Sequence, residues 1–129
     1  MILIFGGAYQ GKLEYAKDNF SVDIIFDCRS DGSSAPDFSA DVICGIEAFV
    51  FDCTKKGVEA ADWFRDRKDM WQDKILIIRD QSQGIVPIDP DERAAREMCG
   101  RLMIYLAGEA EQVIRVFCGL GEKIRQERK

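Results

Sequence analysis

Apolar positions along the chain fall into two periodicities. Short continuous runs, Met1-Ile-Leu-Ile-Phe5, Val22-Asp-Ile-Ile-Phe-Asp27, Lys74-Ile-Leu-Ile-Ile78 and Gln112-Val-Ile-Arg-Val-Phe117, are rich in β-branched residues and predict strands. Between them the apolar residues recur at helical spacing. Lys12–Asn19 forms a first helix. Ile46, Phe49, Val50 and Cys53 predict a second from about Gly45 to Lys56, ended by Gly57. Val58, Ala61, Trp63, Phe64 and Trp71 accompany a further helix, with Arg65 to Asp69 covering its outer surface, so the aromatics belong to the core or to subunit contacts. Asp89 as cap and Pro90 in the first turn open a long helix from about Asp91 to Gly108 with the stripe Ala94, Ala95, Met98, Leu102, Tyr105 and Leu106.

Strands alternating with helices, and a run as uniformly apolar as 74–78, predict an α/β fold with a mainly parallel sheet flanked by helices. Residues 41–72 admit alternatives, since Val42-Ile43 also reads as strand and Phe51-Asp52 could extend one. The run 112–117 reads as the last strand, closed by Cys118-Gly-Leu-Gly121. Lys123, Arg125, Arg128 and Lys129, interrupted by Glu122 and Glu127, then read as a solvated helix end. Arg93, Glu97 and Arg101 are spaced for pairing on the long helix, at ~0.3–0.5 kcal/mol per exposed pair.

The chemistry concentrates where the first strand breaks. Gly6, Gly7, Ala8, Tyr9, Gln10, Gly11 and Lys12 match the spacing G-x-x-x-x-G-K of a phosphate-binding loop, in which glycines let backbone N–H groups turn inward and the lysine reaches the outer phosphates. A helix that starts at Lys12 would direct its positive end at the same anion. The next residue departs from the pattern: Leu13 stands where a hydroxyl normally holds Mg²⁺. The competing reading is a tight strand-to-helix turn without a ligand. Asp80 follows the 74–78 run and, in a parallel sheet, lies at the loop's edge. It can bind Mg²⁺ directly or through water, take a proton from an acceptor hydroxyl, or cap backbone amides. The turn-forming segment 28–37 falls at the same carboxyl edge, where open α/β sheets bind ligands. Arg93 and Arg96, near the start of the long helix, are further phosphate candidates.

Composition narrows the partners. One domain spans the 129 residues, and a net charge of −5 with no segregated basic face argues against nucleic acid. The cysteines Cys28, Cys44, Cys53, Cys99 and Cys118 form no C-x-x-C pair and the chain has no histidine, so zinc is not expected and the thiols read as reduced and mostly buried. Without a signal-like segment or an apolar run of spanning length, the expectation is a cytoplasmic protein with no membrane association.

The loop Gly6-Gly-Ala-x-x-Gly-Lys12, together with Ile75 through Gly84-Ile-Val-Pro87, Arg93, Arg96-Glu97, Gly100-Arg101, Ala110, Val113 and Gly119-Leu-Gly-x-Lys123, resembles the adenosylcobinamide kinase/adenosylcobinamide-phosphate guanylyltransferase family of cobalamin biosynthesis. The resemblance covers about the first twenty and last fifty-five residues, and the middle is shorter than in typical members. It implies a P-loop NTPase fold of the RecA-like kind, ATP or GTP with Mg²⁺ as cofactors, a corrinoid substrate and a homo-oligomer. Asp80 takes the family's acidic position after the central strand, with Arg79 where an asparagine often stands. Family members also transfer GMP through a guanylylated histidine, a route closed to a chain lacking histidine. Three readings follow: a single-activity adenosylcobinamide kinase-like enzyme using Lys12 and Asp80, an inactive nucleotide- or corrinoid-binding relative, and a structural protein that keeps only the sheet.

Overall fold

A computed structural model describes residues 1–8, 10–30, 35–80 and 89–125. Tyr9, the 31–34 part of the first turn segment, the Gly84-Ile-Val-Pro87 stretch and the tail residues Arg128 and Lys129 lie outside the described residues. The elements in chain order are β1 (Ile2–Gly6), α1 (Lys12–Asn19), β2 (Ile25–Asp27), β3 (Val42–Cys44), α2 (Ile46–Lys56), α3 (Ala60–Arg65), α4 (Lys68–Trp71), β4 (Ile75–Arg79), α5 (Pro90–Glu109), β5 (Gln112–Phe117) and β6 (Leu120–Arg125).

The fold is α/β, with a six-stranded sheet in the order β2-β3-β4-β1-β5-β6. All pairings are parallel except β5 with β6. β1 is central, paired with β4 from Ile2↔Ile75 to Gly6↔Arg79 and with β5 from Ile2↔Gln112 to Phe5↔Arg115. The two faces are covered unequally. Leu3, Ile43, Leu76, Ile78 and Val113 pack with α2, α3, α4 and α5 in the larger core, which contains Phe64 and Trp71. Ile4, Val42, Ile77, Ile114 and Val116 face α1, whose Ala16 is fully buried. The aromatics are therefore core, with Phe38, Phe49, Trp63, Phe64, Trp71 and Tyr105 forming a run of ring contacts.

Where the elements depart from the sequence expectation, a competing interaction accounts for it. β2 begins at Ile25 rather than Val22, because the Asp41 carboxylate accepts the Asp23 and Ile24 N–H groups at 2.9 Å each and replaces strand pairing there. Val42-Ile43 is strand, and Phe51-Asp52 belongs to α2. The helix expected around Trp63 is two short ones. Arg67 stacks over the Trp63 ring and donates to the Trp63 carbonyl at 3.0 Å, satisfying an orphan C=O at the end of α3. Of the three residues expected to pair on the long helix, Arg101 forks onto Glu59 at 3.0 and 3.1 Å. Lys123 and Arg125 sit in β6, a strand where a helix end was expected. Asp89 caps α5 as predicted, accepting the Asp91 N–H at 3.1 Å.

Trp71 ties the short helices together by donating its indole N–H to the Phe64 carbonyl at 2.8 Å inside the core. Trp71→Phe would leave the Phe64 carbonyl with the Arg67 N–H at 3.0 Å as its remaining donor, and urea unfolding should show a loss of about 0.5–1.5 kcal/mol from the missing bond alone.

Candidate functional site

β1 ends against β5 so closely that a Cβ on Gly6 would overlap the Val116 carbonyl oxygen. A side chain there would push the strands apart, so this position requires glycine. The chain then turns through Gly7 to Gly11, which has φ 86°, left-handed geometry that glycine adopts without penalty. Gly11 precedes the first residue of α1, and its carbonyl accepts the Tyr15 N–H at 2.9 Å. Strand, glycine loop and helix thus follow in the expected order.

Lys12 occupies the first turn of α1 and reaches back across the loop, its ammonium donating to the Gly7 carbonyl at 2.7 Å. It lines a cleft of about 300 Å³ with Ala8, Gln10, Gly11, Arg29, Glu47 and Arg79. Burial pulls the Lys12 ammonium below its ordinary pKa; Glu47 opposes this, while Arg29 and Arg79 push the same way. Cations meeting in one half-buried cleft carry a repulsion that a bound polyanion would relieve.

The other walls come from parallel neighbours. β3 runs into Gly45, at φ 67°, where a Cβ would overlap the Asp27 carboxylate, and α2 starts directly after it. Glu47, in the first turn of α2, has only 9% of its side chain exposed. One of its oxygens accepts the Arg79 N–H at 2.9 Å and the other lies 3.9 Å from Arg29. Arg29 forks onto Asp27 at 3.0 and 3.1 Å. That fork holds Asp27 below the usual carboxylate range and raises Arg29 further above its own. The guanidinium remains more than half exposed toward the cleft.

Asp80 lies at the same sheet edge as the loop, as the parallel register requires, with its N–H donating to the Gly6 carbonyl at 2.8 Å. It does not share the Lys12 cleft. It lines a neighbouring cavity of about 370 Å³ with Gly6, Gly7, Gln10, Arg115, Val116 and Phe117, and Gln10 is common to both. Leu13 lines the Lys12 cleft and packs on the α1-side core. Arg93 and Arg96, in the first turns of α5, line neither cavity and are engaged in interactions of their own. Among the described residues no group of three or more acidic or thiol side chains converges as a metal site.

Arg29, Glu47 and Arg79 were not singled out as site residues from sequence. The available signal was positional, since each follows directly on a predicted strand or opens the helix after one. No protein-family model matches the chain, and no curated protein matches it.

Cys44 lines the cleft and Cys28 lies buried next to Asp27. Burial raises the Cys44 and Cys53 thiols to about 11 and those of Cys28 and Cys99 to about 12, from an unfolded value of 9.0. Between pH 9 and these values the unfolded chain has lost thiol protons that the native chain keeps. Unfolding is then favoured by deprotonation, so the thiols' contribution to stability falls as pH rises through that window. Urea midpoints measured from pH 8 to pH 10.5 should decline, and replacing Cys28 with Ala should flatten the decline.

Proposed function

We propose that the chain is an adenosylcobinamide kinase-like nucleotide-binding protein, in which the loop and the Lys12 cleft receive the polyphosphate of ATP or GTP and the γ-phosphoryl group passes to a corrinoid hydroxyl. The observation that carries this reading is the meeting of Lys12, Arg29 and Arg79 in one cleft beside a glycine loop at the carboxyl edge of a parallel sheet. A P-loop NTPase assignment of the RecA-like kind fits the central, doubly paired β1 and the loop that follows it.

On this reading Lys12 exchanges the Gly7 carbonyl for a phosphate oxygen, a charge-assisted bond in place of a neutral acceptor. Arg29 and Arg79 balance charge on the outer phosphates. The acceptor hydroxyl occupies the neighbouring cavity, where Asp80 takes its proton as the oxygen attacks the γ-phosphorus and the bond to the leaving diphosphate breaks. Leu13 offers Mg²⁺ no oxygen and Glu47 is engaged by the Arg79 N–H and faces Arg29, which leaves Asp80, expected as the metal residue, as the carboxylate that would meet the ion from the neighbouring cavity, directly or through water. Mg²⁺ would accompany the nucleotide on phosphate oxygens and water.

An inactive nucleotide- or corrinoid-binding relative is the second reading, favoured by the separation of Lys12 and Asp80 into different cavities. The implied homo-oligomer has support in exposed Phe117, Leu120 and Ile124 on and beside edge strand β6.

Titration with ATP and GTP, with and without Mg²⁺, followed by a product assay on adenosylcobinamide, separates these readings. Lys12→Ala should weaken nucleotide binding roughly ten- to hundredfold, as expected for losing a hydrogen bond between charged groups. Binding without phosphorylated product would leave the inactive reading. Failure of ATP, GTP and adenosylcobinamide alike to raise the melting temperature would leave only a structural protein.

A further inference from the structure

The anion loop is fastened to the β5–β6 turn. Gln10 Oε1 accepts the Cys118 N–H at 2.7 Å, and the Gln10 carbonyl accepts the Gly119 N–H at 2.8 Å. A Cβ on Gly11 would stand 3.2 Å from the Gly119 Cα, and the Tyr15 ring of α1 fills the space that a side chain at Gly121 would need. Loop, helix and hairpin therefore meet at successive points. Cys118 itself has φ 52°, the left-handed geometry, and among the described residues no other non-glycine residue does. A side-chain-bearing residue stays in that region only where its surroundings over-determine it. Here Cys118 and Gly119, at φ 52° and 77°, are the two central residues of the hairpin turn between Phe117 and Leu120, whose twist calls for left-handed geometry at both, and the acceptors of Gln10 hold that turn against the loop. That residue also lines both cavities, so a shift in its backbone moves a wall of each.

The geometry points to Gln10 as the positioning residue of the loop: by accepting both turn amides it fixes the wall of the phosphate cleft, and it couples that cleft to the β5–β6 turn. This rests on the polyphosphate reading of the Lys12 cleft and adds to it a residue outside the glycine-lysine pattern. Coupling of this kind is reciprocal. An anion that favours the fastened loop must also quieten the turn, and loosening the turn must weaken the anion.

Cys118 is the reporter, because its thiol is exposed while those of Cys28, Cys44, Cys53 and Cys99 are buried. The probe is inorganic tripolyphosphate, which carries no base to contact the hairpin. In the wild-type protein, saturating tripolyphosphate should slow Cys118 labelling by a thiol reagent several-fold. Gln10→Met keeps side-chain length and removes the acceptor; it should bind tripolyphosphate roughly three- to tenfold more weakly, the loss expected for one hydrogen bond. Its Cys118 should label faster without ligand, and saturating tripolyphosphate should no longer slow it. Direct shielding of the thiol by the ligand would persist in that variant, so persistence overturns the coupling. Gln10→Glu retains an acceptor for the Cys118 N–H and should restore wild-type labelling in the absence of ligand. Wild-type labelling that ignores bound tripolyphosphate, or a Gln10→Met protein that binds it as tightly as wild type, overturns the inference and leaves the polyphosphate site standing. If neither tripolyphosphate nor a nucleotide binds, both fall. Should Gln10→Met fail to fold, the wild-type labelling experiment decides.

Discussion

β1 has no free edge. Its hydrogen-bonding groups are taken by β4 on one side and β5 on the other, both parallel to it, and its side chains are claimed by cores above and below. A strand confined in this way leaves the chain one exit, at its carboxyl end, and fixes which other chain ends stand beside it. Gly6 aligns with Arg79, and the loop emerges next to the ends of β3 and β4. The other strands bring their residues to the candidate cleft through the parallel order β2-β3-β4-β1. Arg79 ends β4, Glu47 opens the helix that follows β3, and Arg29 follows β2.

The cleft is pre-shaped by internal partners. Lys12 rests on a loop carbonyl and Arg29 on a carboxylate, so each cation is held near the opening without a ligand. Glu47 has a different part. Its nearly buried carboxylate takes a backbone N–H from the end of β4 and fastens α2 to that strand beside the cleft. A carboxylate with its acceptors already in use contributes geometry and charge balance more readily than it contributes metal coordination.

Most of the architecture was legible because its driving force is local and repetitive. Continuous apolar runs marked β1, β4 and β5, and the stripe, cap and proline marked α5 almost to the residue. What escaped depends on contacts between distant segments. The exposed strand β6 has no buried face and hence no alternation to read; its pairing comes from the turn at Cys118-Gly119. Asp41 replaces strand pairing for Asp23 and Ile24, and Arg67 ends α3 without glycine or proline. At the site, the loop and Lys12 were visible as spacing, whereas Arg29 and Glu47 reach the cleft through the order of parallel strands. Asp80 and Lys12 follow neighbouring strands yet line different cavities, which their sequence positions alone could not reveal.

The pairing of β1 with β4 and β5 also bears on when the loop can exist. A nascent chain that ends before Ile75 offers β1 neither of its final neighbours, although the loop residues have already been made. Contacts so distant in sequence form late and slowly, after the entropy of closing long stretches of chain has been met. The glycine turn thus acquires its shape only once the segments of β4 and β5 have been made, and until then the apolar residues of β1 lack their partners.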